Sequence, residues 1–374
     1  MNRLTRIGVA VAATLATAGV FAPAASAAGA PAAHPVFVQT DNPAGNQIVA
    51  YHQAGDGTLA QAAVYATGGR GGVLQGAVAD HVASQGALTY DAAHRLLYAV
   101  NAGSDTVSVF SVQGEKLILR QIVGSGGMFP VSVAVNGDRV YVLNALGGGS
   151  VQGYRLVHGH LITEAGWNRG LGLDPDATPQ FTHTPGQIGF LADGSQLVVT
   201  TKANGSSIAV FGIDHSGAPS QSPVVTTVPG AVPFGFVPNG RHGLFLTEVG
   251  TNSLATYRIG ADGKAVREAS ADTGQAAVCW AVRVGDVVYT SNAGSSTLTG
   301  VRTADHGRHL TVLGNTATDP GTVDAAASPD GHLYVQTGVK GILDEFTVHH
   351  DGSLTMIGSQ TVPGGAGGEG IAAL

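Results

Sequence analysis

Short apolar runs alternate with short polar turns along almost the whole chain. One passage shows the unit: Leu97-Tyr98-Ala99-Val100, the polar break Asn101-Ala102-Gly103-Ser104-Asp105, then Thr106-Val107-Ser108-Val109-Phe110. It returns as Val140-Tyr141-Val142-Leu143-Asn144 followed by Gly149-Ser150-Val151-Gln152-Gly153-Tyr154, and again as Val288-Tyr289-Thr290-Ser291-Asn292 running on to Leu298. Apolar runs this short, rich in Val, Tyr and Leu and bounded by Gly, Asn and Asp, read as strands. Taking the aromatic or apolar anchor of each Tyr-Val-Thr-Asn-like phrase gives Phe37, Tyr98, Tyr141, Val198, Phe245, Tyr289 and Tyr334. A self-similar period of roughly 45 residues built only of strands predicts a β-propeller.

The turns fill in the unit. Ser328-Pro329-Asp330-Gly331 and Val237-Pro238-Asn239-Gly240 precede anchors, with Pro presetting the first turn dihedral and Asp or Asn before Gly tolerating the left-handed one. Asp56-Gly57-Thr58-Leu59 and Asp351-Gly352-Ser353-Leu354 introduce a further, outer strand. Each unit therefore reads as four antiparallel strands, and the chain as an all-β, seven-bladed β-propeller. The first unit, starting near Val36, lacks the strand that opens every other unit. The last residues, Gly368-Glu369-Gly370-Ile371-Ala372-Ala373-Leu374, supply a strand of that kind, so the C-terminal strand is expected to close the ring and remove its free edges. Two segments fall outside the repeat: 68–84, with Arg70, Asp80 and His81, and 167–184, with Arg169, Asp174, Asp176 and His183. Long insertions on a regular scaffold are either Gly-rich surface loops or carriers of function.

The N-terminus reads differently. Arg3 and Arg6 precede an apolar stretch from Ile7 to Phe21, and Ala25-Ser26-Ala27 gives a small-residue cleavage pattern. Residues 1–27 are expected to be a secretory signal peptide of the general export route, cut near Ala27, with 28–35 a short linker and 36–374 a single propeller domain. The expected location is extracellular, and no later stretch is long and apolar enough to span a membrane. Cys279 is the sole cysteine, so no internal disulfide can form, and its apolar strand suits a small buried hydrophobe. Only 11% of the 374 residues are charged, with a net charge of −7 and no basic cluster, which argues against a nucleic-acid partner. A small-molecule substrate or ligand and a monomeric state are expected instead.

The Ser84-Gln85-Gly86-Ala87-Leu88 start, the Asn101-Ala102-Gly103-Ser104 phrase and the Ser328-Pro329-Asp330-Gly331 turn resemble the lactonase-type seven-bladed propellers. That family includes bacterial 6-phosphogluconolactonases and carboxymuconate cyclases, and the chain is most similar to its secreted actinobacterial branch. The resemblance covers nearly all of the mature chain and implies hydrolysis of a lactone or similar cyclic ester. It does not carry over the phosphogluconolactonase site. Where those enzymes have a His-x-His pair, this chain has Thr184 and Gly186, with His183 one position off. Where they have Pro-Arg-His, it has Ala231-Val232-Pro233. The acidic residue after the following strand remains, as Glu248. Phosphogluconolactone is thus not the expected substrate.

Residues at or near the starts of the innermost strands face the channel of a propeller. They are Gln85, Ser132, Gln187, Phe234, Trp280, Asp324 and Glu369. Asp324 and Glu369, from the last blade and the closing strand, should be neighbours. Two adjacent carboxyls can divide into acid and base. They could instead hold a divalent cation such as Ca²⁺, or simply bond backbone groups and stabilise closure. Glu248 and His183 are further candidates for a catalytic base. The absence of a Gly-x-Ser-x-Gly elbow and of a His-Glu-x-x-His motif leaves serine-hydrolase and zinc-hydrolase mechanisms without support. The alternative function is a non-catalytic extracellular binding propeller for a small ligand, glycan or protein.

Overall fold

The computed structural model describes residues 34–374 together with Met1, so the expected signal peptide lies outside the described residues. Seven four-stranded antiparallel sheets form the blades of a propeller. Numbered along the chain, blades 2 to 7 each use four consecutive strands. Blade 1 is stitched from both ends: Ile371–Ala373 pairs with Val36–Gln39, which pairs with Gln47–Gln53 and then Leu59–Ala66. The register Val36↔Ala373, Phe37↔Ala372 and Val38↔Ile371 shuts the ring as the sequence suggested. Pro35 O and the His34 ring add hydrogen bonds to Leu374.

Packing explains the sequence rhythm. Both faces of a blade are covered by its neighbours, so the second strands read as unbroken buried runs. Leu96–Asn101 and Val287–Asn292 are buried at every position. The outer strands border solvent, and Leu59–Ala66 or Ala265–Asp272 expose much of their length. All seven anchors are nearly or fully inaccessible. Three anchor tyrosines also staple their blade to the next: Tyr289 donates to Gly352 O at 2.9 Å, Tyr334 to Gly57 O at 2.8 Å, and Tyr141 to Gly217 O. The acceptors sit in the turns Asp56-Gly57, Asp351-Gly352 and Asp214-His215-Ser216-Gly217, which pairs anchor and turn across these three blade interfaces.

The innermost strands are Leu88–Asp91, Met128–Asn136, Pro185–Phe190, Pro233–Asn239, Val278–Val284, Thr322–Ala327 and Ile371–Ala373. Five of them slip register against their second strand, at Pro130/Ser132, Pro185/Gln187, Pro233/Phe236, Val278/Trp280 and Thr322/Ala325. A bulge re-aims side chains. Here it brings Phe234, Cys279 and Asp324 to the axis.

One insertion is shorter than the sequence suggested. Trp167 and Arg169 belong to the outer strand His160–Gly170 of blade 3, where Trp167 stacks on Tyr141 with centroids 5.9 Å apart. The Arg169 guanidinium is committed to the carbonyls of Gly166, Asn168, Pro219 and Ser220. The true insertion spans 171–184 and ends in a one-turn helix, Gln180–His183. It meets the other insertion: Gln75 N donates to the Gln180 side chain at 3.0 Å, and Phe181 N to Gln75 O at 3.3 Å.

Candidate active site

The insertion 68–84 does more than cover the propeller. Its end runs across the axis as a plug. Ser84 O accepts the Trp280 indole N–H at 2.6 Å, from blade 6. The Gln85 amide makes a two-way rung with Ala281, donating to its O at 2.7 Å and accepting from its N at 3.1 Å. On the other side Gln85 N bonds Gly186 O at 3.0 Å, and Ser132 Oγ bonds Gln85 O at 2.7 Å. The turn into the plug is held by Asp80. Its Oδ1 accepts the N–H groups of Val82 and Ala83 at 2.8 Å each, and its Oδ2 that of Ser84 at 3.0 Å.

The plug divides the channel into two cavities. The first, of about 540 Å³, opens at the strand-start face beneath both insertions. Val78, Phe181, Phe234, Val249 and Trp280 shape its walls, and Asp80 and Lys202 lie at its floor. Both floor residues are almost wholly buried. The second, of about 410 Å³, opens at the opposite face and is lined by Gln85, Gln187 and Asp324 among others. The seven channel residues expected from sequence are thus not one ring. Phe234 and Trp280 face the first cavity, Gln85, Gln187 and Asp324 the second, and Ser132 and Glu369 are packed between them.

Around the plug lies a string of buried charges. Glu369 is inaccessible; its Oε1 accepts Gly86 N at 2.9 Å and Ala87 N at 3.4 Å, and its Oε2 faces Ser84 Oγ at 3.4 Å. Its backbone N–H donates to Asp41 at 2.8 Å. Its carboxyl is a close neighbour of that of Asp324, as adjacency of the closing strand and blade 7 required, and the two repel. Burial, reinforced by repulsion from Asp324, Asp80 and Asp41, holds the Glu369 carboxyl well above its ordinary value. Burial likewise raises Asp324 and Asp41 to about 7 and Asp80 to about 6. Backbone N–H groups already occupy Glu369 Oε1. Among the described residues no group of three or more His, Cys, Asp or Glu is placed together to hold a metal ion, and the raised Asp324 and Glu369 carboxyls favour holding a proton.

Lys202 is the cation of the cluster. Its Nζ donates to Ala83 O at 2.5 Å and lies 5.3 Å from the centroid of the Phe234 ring. Burial outweighs the attraction of Asp80 and pushes the amine down to about 7. A lysine at such a value is part neutral at physiological pH and can accept a proton. Cys279, in the same wall, is pushed up to about 12 by burial, which keeps its thiol protonated and unreactive.

The remaining sequence candidates sit elsewhere. Glu248 is buried inside blade 5, where Arg267, Tyr257, Ser253 and Thr251 all bond its carboxylate. It occupies the place in the repeat held by Asn101 and Asn292, which tie strands together through Ser108 and Thr299. His183 ends the one-turn helix with its ring nitrogen on Pro179 O and Thr182 Oγ1, and it does not line the 540 Å³ cavity. Lys202 and Asp41 were not singled out from the sequence, although the repeat marks both. Four residues after each anchor stand Asp41, Ala102, Ala145, Lys202, Val249, Ala293 and Gly338. Only blades 1 and 4 place a charge there.

Comparison with known proteins matches this geometry at the level of the fold. The chain is similar in structure to a 6-phosphogluconolactonase of Bacteroides fragilis so described provisionally, at 16% identity, TM-score 0.74, covering 93% of this chain and 100% of that one. It is similar to the periplasmic gluconolactonase of Pseudomonas aeruginosa, at 16% identity and TM-score 0.72, covering 91% and 99%. A virginiamycin B lyase from Staphylococcus aureus shares the architecture more distantly, at 13% identity and TM-score 0.55, covering 79% and 90%. No curated protein sequence matches the chain. The sequence model of the family described as lactonase, 7-bladed beta-propeller matches residues 87–366. With seven closed blades and that match over most of its length, the chain belongs to the lactonase family of seven-bladed β-propellers.

Proposed function

We propose that the protein hydrolyses a lactone or related cyclic ester in the cavity beneath the two insertions. The observation that carries this reading is a buried amine, Lys202, at the floor of a mostly apolar cavity open at one face, beside a carboxylate fixed by three backbone N–H groups. The neutral amine takes a proton from water as the oxygen adds to the ring carbonyl. The resulting ammonium faces the Asp80 carboxylate, which stabilises it electrostatically. It then returns the proton to the ring oxygen as the carbon–oxygen bond breaks, giving a hydroxy acid. Family membership supports this class of reaction, and the leader around Arg3, Arg6 and Ala25-Ser26-Ala27 supports an exported enzyme. A ring closed within one chain supports a monomer.

The test is acid release from a lactone panel, followed between pH 5.5 and 9. Activity should rise through about pH 7 as Lys202 loses its proton. Lys202→Met should lower kcat by about 100-fold or more, and Lys202→Arg equally, because arginine holds its proton throughout. A Lys202→Met protein that retains full activity refutes the assignment. The second reading, a binding propeller, is favoured by the sparse polar equipment of the cavity. Ligand binding with no turnover on any lactone would establish it.

A further inference from the structure

We propose that the cavity beneath the insertions takes a cyclic ester with an apolar body, one carbonyl on an alkyl or aryl frame, and rejects polyhydroxylated sugar lactones. The catalytic half of this statement rests on the hydrolytic reading above; the choice of ligand rests on the walls of the cavity. Val78, Phe181, Val232, Phe234, Val249 and Val339 supply carbon surface on nearly every side. Val78 is 78% and Val339 48% exposed at the mouth, so the approach from solvent is apolar as well.

Most polar side chains of the wall are already committed. The Trp280 indole N–H serves Ser84 O, and the Thr182 hydroxyl serves Pro179 O. Ser296 Oγ accepts Gly321 N. Both Asp80 oxygens accept backbone N–H groups. Ser296 keeps its hydroxyl donor, and Lys202 keeps an N–H beyond the one that Ala83 O takes. The Lys202 N–H fits one carbonyl oxygen. A sugar lactone would bring more hydroxyls than the few open groups of this wall can receive, and each orphaned hydroxyl weakens binding by about tenfold or more. An alkyl chain gains about fourfold in affinity for every methylene buried. A volume near 540 Å³ lies in the range of small-molecule sites and exceeds what one lactone ring fills.

The deciding experiment uses lactams, which resist hydrolysis and so report binding apart from turnover. Calorimetric titration of the mature protein with γ-alkyl lactams of increasing chain length should show affinity rising about fourfold per methylene until the cavity is full. Gluconolactam should bind at least 100-fold more weakly than the best alkyl lactam. Val78→Asp, at an exposed position that leaves folding intact, should weaken the alkyl series about tenfold and leave gluconolactam unchanged. A flat chain-length series, or gluconolactam binding as tightly as the alkyl compounds, overturns the inference. Chain-length-dependent lactam binding without turnover of the matching lactones sinks the hydrolytic reading and leaves this one standing. Lys202-dependent turnover of gluconolactone in preference to alkyl lactones does the reverse.

Discussion

Replacing Glu369 by glutamine should stabilise this protein at neutral pH and leave it nearly unchanged in acid. The side chain is inaccessible and wedged between Asp324, Asp41 and Asp80. Burial and repulsion raise its carboxyl and hold Asp324 and Asp41 at about 7. A carboxyl that keeps its proton longer in the folded than in the unfolded chain contributes stability that is complete below the unfolded value, near 4. That stability is lost as pH rises through the folded value. For one group moved from 3.8 to about 7 the loss is on the order of 4 kcal/mol between pH 4 and 7. Glutamine has no proton to lose. Its Oε1 still accepts from Gly86 and Ala87, and its amide can donate to Asp324.

Glu369→Gln should therefore match the parent within about 1 kcal/mol at pH 4.5 and exceed it by about 2 kcal/mol or more at pH 7. That corresponds to a melting temperature roughly 4 °C higher. Glu369→Ala orphans Gly86 N–H and opens a void, and should lose about 2–5 kcal/mol at both values. Near-UV circular dichroism melts at one scan rate, taken at pH 4.5, 5.5 and 7, read all three proteins. Lys202 works the other way, because its lowered value adds stability as pH rises, but only above about 7. His81, lowered by burial, opposes the trend in acid. Comparison of variant with parent cancels both. A glutamine variant that loses equally at pH 4.5 and pH 7 refutes the account of Glu369 as a repelled, proton-holding group.

Two further outcomes test the scaffold. Deleting residues 369–374 strips blade 1 of its inner strand, the Gly370–Gln39 bond and the burial of Ile371, and should cost more than about 5 kcal/mol; a truncated chain that melts with the parent would show that closure lies elsewhere. Tyr334→Phe removes the staple to Gly57 and should cost about 1–2 kcal/mol in urea unfolding, whereas Tyr98→Phe, whose hydroxyl has no protein partner, should be neutral within about 0.5 kcal/mol. Equal costs for the two would remove the staple from the list of blade-to-blade contacts.

The scaffold was legible in the sequence because a propeller repeats one physical problem seven times. Tyr98, Tyr141, Tyr289 and Tyr334 recur since each must fill the same gap between blades, and the open first unit pointed straight to Ile371–Ala373 as its missing strand. The site was less legible because it depends on where the repeat is broken. Reading strand starts as a ring assumed an open channel. The chain instead sends 80–86 across the axis, so Gln85 and Trp280 face opposite cavities while touching through Ser84 and Ala281. Glu248 looked like a base because it ends a strand on the channel side. Its place in the repeat belongs to strand-tying asparagines, and its carboxylate does that work with Arg267 and Tyr257.

The same frame, applied one residue further along, isolates two buried charges. At that step five blades carry Ala, Val or Gly, as the crowded end of a strand near the axis demands. Blades 1 and 4 carry Asp41 and Lys202. Burying either charge is costly, and nothing in the packing of a blade calls for one, since five blades do without. Asp41 is accounted for by the closing strand, whose Glu369 N–H it accepts. Lys202 is tied in place by Ala83 O of the plug, the Phe234 ring and the field of Asp80. One N–H meets a single carbonyl, Ala83 O, and the rest of its amine borders the cavity beneath the two insertions. A residue that breaks the repeat, carries a desolvation cost and bonds too little to offset it is one whose partner arrives from solvent. That supports the proposed role of Lys202 and of a ligand carbonyl as the complement of its free N–H.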